Sequence, residues 1–501
     1  MVSRQIITRP KLLPKMLKRN KMKFLLLIML CFVIKVDAYS LSRKQNNPKA
    51  ANQINQDTTV LGFSEFLGYV KKHHPIAKQA ELLLEEAQAN LLRARGGFDP
   101  KIEVDYRRKD FKDTEYYDEL YGVFKIPTWY GVEFKAGAER NEGTFLDPSL
   151  TVPEDGLFSA GVQVNLGQGL WINDRMATLR KARLFEKQNK AQRDLAANEI
   201  LYEASIAYFE WWRASKEVQV FTDILDRATF RERGVIISAR AGDKAAIDTV
   251  EANVASQNRL LGLQQARIDE IKSKLKLANF LWLDGIPVEL QENVLPQDDI
   301  SATIDVVMGL LGTNLDEFNV ENHPKILVLN FKLDQLDVDR QLKTNKLLPK
   351  ITLDYNFITS DWDQINSINQ NNYKAGLTFA YPIFTRKERG DLRLAKIKIQ
   401  DARYGLKSES LMLRNKITSL FKELDGYQQQ VETVNSLTNN TQRLFEGESR
   451  KFELGDSSLF IVNSREVKLI EARLKQLEVQ KKLFDAKAAL FRSLVIQPEN
   501  L

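Results

Sequence analysis

The sequence predicts an internally duplicated α+β chain in which long antiparallel helix pairs are joined to alternating β-strands. Three observations carry this reading. The order helix, strand, polar loop, strand, helix between His323 and Arg389 has a counterpart beginning at His74. Two stretches, Asp174 to Arg240 and Lys387 to Leu454, read as single helices of about 67 residues, or roughly 100 Å at 1.5 Å per residue. Several runs between Pro100 and Gly161 alternate apolar with polar residues, the period of a strand.

Taken from the start, residues 1–38 have the form of an export signal. A basic region ends at Lys21-Met22-Lys23, an apolar run spans Phe24 to Ile34, and Val36-Asp37-Ala38 is a small-residue cleavage site. About eleven apolar residues are too few to cross a bilayer. Cys31, the sole cysteine, lies in that run; Ile28-Met29-Leu30 lacks the small residues expected before a lipidated cysteine, so it reads as part of the removed signal. A mature chain without thiols excludes disulfides, cysteine metal sites and thiol catalysis. Nine Lys/Arg and one Asp fall in residues 1–38, so the net charge of +7 becomes −1 beyond them, and nucleic-acid binding loses its electrostatic basis. Residues 39–60, rich in Asn and Gln, read as a flexible leader.

The first repeat spans 61–297. A short helix (Phe63, Phe66, Leu67, Val70) leads to His73-His74-Pro75, and a second carries Ile76, Ala80, Leu83, Ala87 and Leu91 to Gly96-Gly97 and Pro100. Adjacent histidines invite a metal reading, but neighbours on a helix point apart, so a helix-end role before proline is expected. The alternating runs follow: Ile102, Val104, Tyr106; Tyr121, Val123, Lys125; Val132, Phe134, Ala136, Ala138; and Phe158, Gly161, Val162, Val164. Tyr106, Tyr121, Trp129, Tyr130, Trp171, Tyr355, Tyr373 and Tyr381 are expected near strand ends. Alternation with aromatic strand ends fits a half-buried soluble sheet or a transmembrane barrel equally. Trp211 and Trp212 on the first long helix are expected to pack rather than bind a ligand.

The second repeat spans 298–497, with a tail at 498–501. Leu283 to Val320 breaks the long helices and reads as a belt joining the halves. From the histidine before each proline to the helix-ending proline is 26 residues in both copies. Gly161 to Gly242 is 81 residues and Gly376 to Gly455 is 79. The strand region differs, 61 residues from Pro100 to Gly161 against 27 from Pro349 to Gly376, so the first copy carries inserted β-material. Ile351, Leu353, Tyr355, Phe357 and then Tyr373, Ala375, Leu377, Phe379, Tyr381 are the second copy's strands. A final helix places Ile470, Leu474, Leu477, Phe484, Ala488, Phe491 and Val495 on one seam, broken only by Lys481. Helices this long belong in a coiled coil or helical barrel.

Three histidines, all beside prolines or next to one, support no catalytic triad and no metal site. Gly167-Gln168-Gly169 lacks the Lys-Ser/Thr of a phosphate loop. Neither an enzyme nor a cofactor is expected.

Together, His74-Pro75, His323-Pro324, Leu348-Pro349 before a strand, Tyr381-Pro382-Ile383-Phe384 before the long helix, and the turns Ala241-Gly242 and Leu454-Gly455 resemble the outer-membrane efflux protein family, the TolC-like channels. The resemblance covers about Leu61 to Val495. It implies a homotrimer whose protomers give at least four strands each to one transmembrane β-barrel, twelve in all, continued by an antiparallel α-helical barrel through the periplasm. Four strands cannot close alone, and lipid tolerates no open edge. It also implies a passive exit duct in outer-membrane lipid for small toxic compounds or secreted polypeptides, received from an inner-membrane pump through a periplasmic adaptor (membrane fusion) protein. Nodulation-type or heavy-metal export ducts share this plan, and a secreted soluble coiled-coil scaffold or periplasmic adaptor is the alternative class.

In such channels the helix tips form the gate and the adaptor contact. Here the tips are Ala241, Gly242, Asp243 and Leu454, Gly455, Asp456, where glycine lets the chain turn. Asp248 matches the family's latch aspartate. Phe452 stands at the latch tyrosine without a hydroxyl and Ser457 at the latch arginine, so that latch is expected to be absent. Ile461 and Ser464 replace the acidic ring, and no cation block is expected.

Overall fold

The computed structural model describes residues 59–315, 318–361 and 371–496. The signal at 1–38, Cys31, nearly all of the leader, most of the loop at 361–372 and the tail at 498–501 lie outside the described residues. Seven helices form the body: α1 (Phe63–His73), α2 (Pro75–Arg95), α3 (Asp174–Ala241), α4 (Ala246–Ala278), α5 (Pro324–Asn345), α6 (Arg386–Glu453) and α7 (Leu459–Leu494). A four-residue helix, Ile304–Val307, lies in the connection between the repeats. Both α3 and α6 are 68 residues long. Helices draw most of their stability from packing rather than propensity, and each long helix has two shorter ones along it. α2 and α4 lie on α3, while α5 and α7 lie on α6.

The shorter helices meet at the two histidines. Pro75 occupies the first helical position of α2, where its missing amide costs nothing. His74 caps that helix, its Nδ1 accepting from the Ile76 amide at 3.2 Å, and it also hydrogen-bonds the backbone of Asn279 at the end of α4. His323 repeats this, with Nδ1 accepting from the Lys325 amide at 3.1 Å and Nε2 lying 3.0 Å from the Ser493 carbonyl near the end of α7. The helix-end role is therefore a junction between two helices.

The main core surrounds the middle of α3. Phe63 and Phe66 of α1 pack at a tilt against Tyr208, and Phe484 of α7 meets Phe209 and Trp212. Trp211 and Trp212 are buried there, as packing residues. Tyr208 donates to the Leu61 carbonyl at 2.6 Å and accepts from the Gln297 amide at 3.0 Å, while Trp212 donates to the Asp298 carbonyl at 3.1 Å. Ile300, Ile304 and Met308 are fully buried on the same cluster, so the connection is a belt strapped across α3. Lys481, on the α7 seam, is satisfied there by Asp485 and Glu210.

Six strands form one antiparallel sheet: β1 (Lys101–Phe111), β2 (Thr114–Pro127), β3 (Val132–Glu142), β4 (Leu157–Asn165), β5 (Lys350–Thr359) and β6 (Tyr373–Ala380), in the order β6-β5-β4-β3-β2-β1. The inserted material in the first copy is thus a complete extra hairpin. One face carries Ile102, Val104, Phe124, Ile126, Phe134, Ala136, Val162, Val164, Leu353, Phe357, Leu377 and Phe379, placed side by side by the register. The other carries Glu103, Lys125, Glu133, Lys135, Gln163, Asp354, Asn356 and Lys374. In β2 the phase differs from the sequence reading. Leu120, Phe124 and Ile126 share the apolar face, whereas Tyr121, Val123 and Lys125 share the polar one, where Val123 is buried opposite Gly137. Tyr130, Trp171 and Tyr381 lie exposed at the helix-side rim, but Tyr106, Tyr121 and Tyr355 lie in mid-strand.

Burial holds both junction histidines below the usual histidine range, partly offset by their backbone partners. A base whose pKa is depressed on folding is neutral in both states at high pH, so it begins to destabilise the fold as pH falls below about 6.5, its ordinary value. Asn caps helices as well and does not titrate. Thermal unfolding in detergent from pH 7.5 to 5 should fall more steeply for the parent than for the His74→Asn/His323→Asn variant.

Candidate functional site

Two regions carry the features from which function can be read, the helix tips and the sheet. At the first tip Gly242 has φ +88°, its amide donating to Ala239 and that of Asp243 to Ser238 at 2.9 Å. At the second Gly455 has φ +86°, with the amides of Gly455 and Asp456 donating to Phe452 and Lys451. Both are the same left-handed helix ending, at which glycine avoids the penalty of a Cβ. A Cβ built on either glycine meets nothing within 4 Å, so both turns face open space.

The structure brings the two tips together. Phe452 packs on Val235, Ala252 and Leu459, and the Lys244 ammonium sits 4.7 Å above its ring. Between them is a groove of about 950 Å³ lined by Phe230, Val235, Lys244, Phe445, Phe452 and Gly455, among others. Ser457 donates to Glu448 at 2.6 Å, within its own hairpin, while Ile461 and Ser464 are exposed. Among the described residues the Asp248 carboxylate makes no hydrogen bond or ion pair within the chain. Phe452 thus meets Lys244 rather than Asp248.

A different polar link lies deeper, and sequence reasoning missed it. Glu466 of α7 is 1% exposed and paired with Arg231 of α3 and Arg259 of α4, the latter at 3.1 Å. Asn463 adds a bond to Glu251 of α4 at 3.1 Å. Three helices from both hairpins are therefore pinned one turn or more inside the tips. The one sequence signal was position, since Glu466 lies four residues before Ile470 on the α7 seam.

The packing order also leaves edges. Near the sheet the helices lie as α2-α3-α5-α6, and near the tips as α4-α3-α7-α6. On α4, the outer helix, Ile247, Val254, Leu261, Ile268 and Leu275 recur every seven residues and are all exposed. On α6, the opposite edge, Ile397, Tyr404 and Leu411 do the same. A seven-residue apolar repeat is the seam of a coiled coil.

The sheet is curled as well as two-faced. Lys374 of β6 pairs with Glu139 of β3 at 3.4 Å, three strands away, about 14 Å across a flat sheet. Lys135 of β3 reaches Asp354 of β5 at 2.7 Å. The polar face is therefore concave and the apolar face convex, the lining and outside of a membrane β-barrel. Among the described residues no helix is long and apolar enough to cross a membrane, and no cluster of three His, Cys, Asp or Glu is placed to hold a metal.

The fold thus joins a convex apolar sheet to paired 68-residue helices. Residues 319–494 match the family described as outer membrane efflux protein. The chain has the TolC-like fold of that family, whose members sit in the outer membrane with their helices in the periplasm. Similar solved structures include the CmeC outer membrane channel of Campylobacter jejuni (13% identity, TM-score 0.59, covering 86% of this chain and 85% of that one). The outer membrane protein VceC of Vibrio cholerae (13%, 0.60, 87% and 97%) and CusC (12%, 0.63, 86% and 91%) are also similar. No curated protein matches.

Glu466→Gln removes the charge that holds two guanidiniums of 10–13% exposure. Breaking such a buried network costs about 3–5 kcal/mol. The expected outcome is a lower unfolding temperature and faster proteolysis at the turns 241–246 and 454–458, measured on the detergent-purified protein.

Proposed function

We propose that this chain is the passive outer-membrane exit duct of a tripartite efflux or type I secretion system, and that it works as a homotrimer. The observation that carries the reading is the curled sheet, apolar outside and charged inside, rising from helices about 100 Å long. A soluble scaffold has no use for a convex face of Ile102, Phe134, Val162, Leu353 and Phe379 turned outward. The heptad stripes, on α4 in the tip half and on α6 in the sheet half, leave both flanks of the chain unpartnered and support side-by-side assembly with further copies. The cargo is small toxic compounds or secreted polypeptides, handed over by an inner-membrane pump, and the duct itself uses no energy source. The tips 241–243 and 454–456 meet the periplasmic adaptor, and the gate is opened by that partner. The Arg231-Glu466-Arg259 network takes the place of a latch through Asp248.

The particle extracted from membranes should require detergent and have the mass of three processed chains. A monomer or dimer released by salt alone would discard the duct and favour the soluble scaffold.

Substitution at the tips tests the adaptor contact. Gly242→Trp and Gly455→Trp add bulk toward open space, at a backbone cost of roughly 1–2 kcal/mol; Gly→Asn at the same positions tolerates the left-handed turn and controls for strain. The Trp variants should keep the trimer but lose adaptor pull-down and drug resistance, while the Asn variants keep both. Unchanged resistance in the Trp variants would sink the assignment.

A further inference from the structure

Resting on the trimeric reading above, we infer that the extra hairpin β1-β2 is part of the membrane wall. The barrel then closes by pairing β1 of one copy with β6 of the next, giving eighteen strands instead of twelve.

Four observations carry this. β1 and β2 continue the division of faces through their helix-side halves, where Ile102 lies beside Phe124, Phe124 beside Ala136, and Ala136 beside Ala160; farther from the helices the same face turns charged, with Arg108 paired to Asp118. The strands left unpaired in the sheet are β1 and β6, whose residues are exposed throughout, and an open edge is not tolerated in lipid. β1 leaves the helical body and β6 returns to it, so the two edges meet antiparallel. Finally, β1 follows α2 and β6 precedes α6, the two outermost helices at the sheet end. The copy-to-copy seam thus runs unbroken from the helices into the strands.

The register fixes how the edges meet. Following paired residues across the sheet, Lys101 leads to Lys125, Lys135, Gly161, Asn356 and Lys374. Lys101 is the first residue of β1, whereas Lys374 lies six residues from the end of β6 at Ala380. Six residues of about 3.3 Å over five strand spacings of about 4.8 Å is a tilt of roughly 40°, within the range of closed barrels. A level rim then sets Thr378 beside Glu103 of the next copy, or beside Asp105 if the stagger grows by two. Leu377 and Phe379 continue the apolar band of Val104 and Ile102. At equal tilt, eighteen strands make a barrel about half as wide again as twelve. Its lumen carries charges of both signs.

The test uses the full chain in a Cys31→Ser background, oxidised in isolated outer membranes and separated without reductant. Thr378→Cys with Glu103→Cys, or with Asp105→Cys, should give a covalent ladder ending at the trimer. Were the hairpin outside the wall, β6 would instead meet β3. Thr378→Cys with Glu133→Cys or Lys135→Cys would then give the ladder, and the eighteen-strand barrel would be overturned. A detergent particle of trimer mass with no ladder from either set would overturn it too, leaving the duct standing. A particle that is not a trimer before oxidation would remove the duct reading itself.

Discussion

Two helices of 68 residues hold their course because shorter helices are butted end to end along them, and each butt joint is a histidine followed by a proline. The ring has two nitrogens on opposite sides, which suits it to serve two chain ends at once. In His323, Nδ1 accepts from the first turn of α5 while Nε2–H donates to the Ser493 carbonyl of α7. His74 does the same between α2 and α4. Helix ends otherwise leave amides and carbonyls without partners, and both joints are buried away from water. A neutral ring satisfies both ends, whereas a protonated one would lose its acceptor. The joint also sets the geometry of everything beyond it, because the upper helix carries the strands and the lower one the tip.

Much of this was legible in the sequence because it is local and repeated. Proline after histidine, glycine after a long helix, and equal spacings in two copies are one-dimensional facts that survive folding unchanged. The bounds of both long helices follow from where helix formers stop, at Gly242 and Gly455. What was not legible depends on chain brought from elsewhere. Ser493 lies 170 residues from His323, and nothing near the histidine announces it. Glu466 looked like one more solvated charge on a helix, since its partners come from two other helices. In β2 both faces hold apolar residues, so Tyr121 and Val123 drew the alternation to the wrong phase; the pairing with Ala136 and Ala138 of β3 decides it.

The duplication carries the same division of labour into both halves, but unequally. Each copy sends one short helix up, returns by one long helix, and turns at a left-handed glycine. The second copy spends two strands between those helices and the first spends four. A hairpin can be added there without disturbing the helices, because it leaves and rejoins the same rim: β1 begins just after the end of α2, and β2 ends just before β3 starts again. Insertion by hairpin also preserves antiparallel order at every boundary within the sheet.

Edges are the remaining constraint, and helices and strands present it in different forms. An unpartnered helix edge shows it as a row of apolar side chains, Ile247 to Leu275 on α4 and Ile397 to Leu411 on α6. An unpartnered strand shows it as a row of amides and carbonyls. Water tolerates the second better than the first, and lipid tolerates the first better than the second. The chain leaves its apolar helical seams in the part that lies in water and its open strands in the part whose outer face is apolar. Each edge is thus exposed to the surroundings that penalise it most. Both penalties would be relieved by one event, the lateral approach of another copy that the proposed trimer supplies.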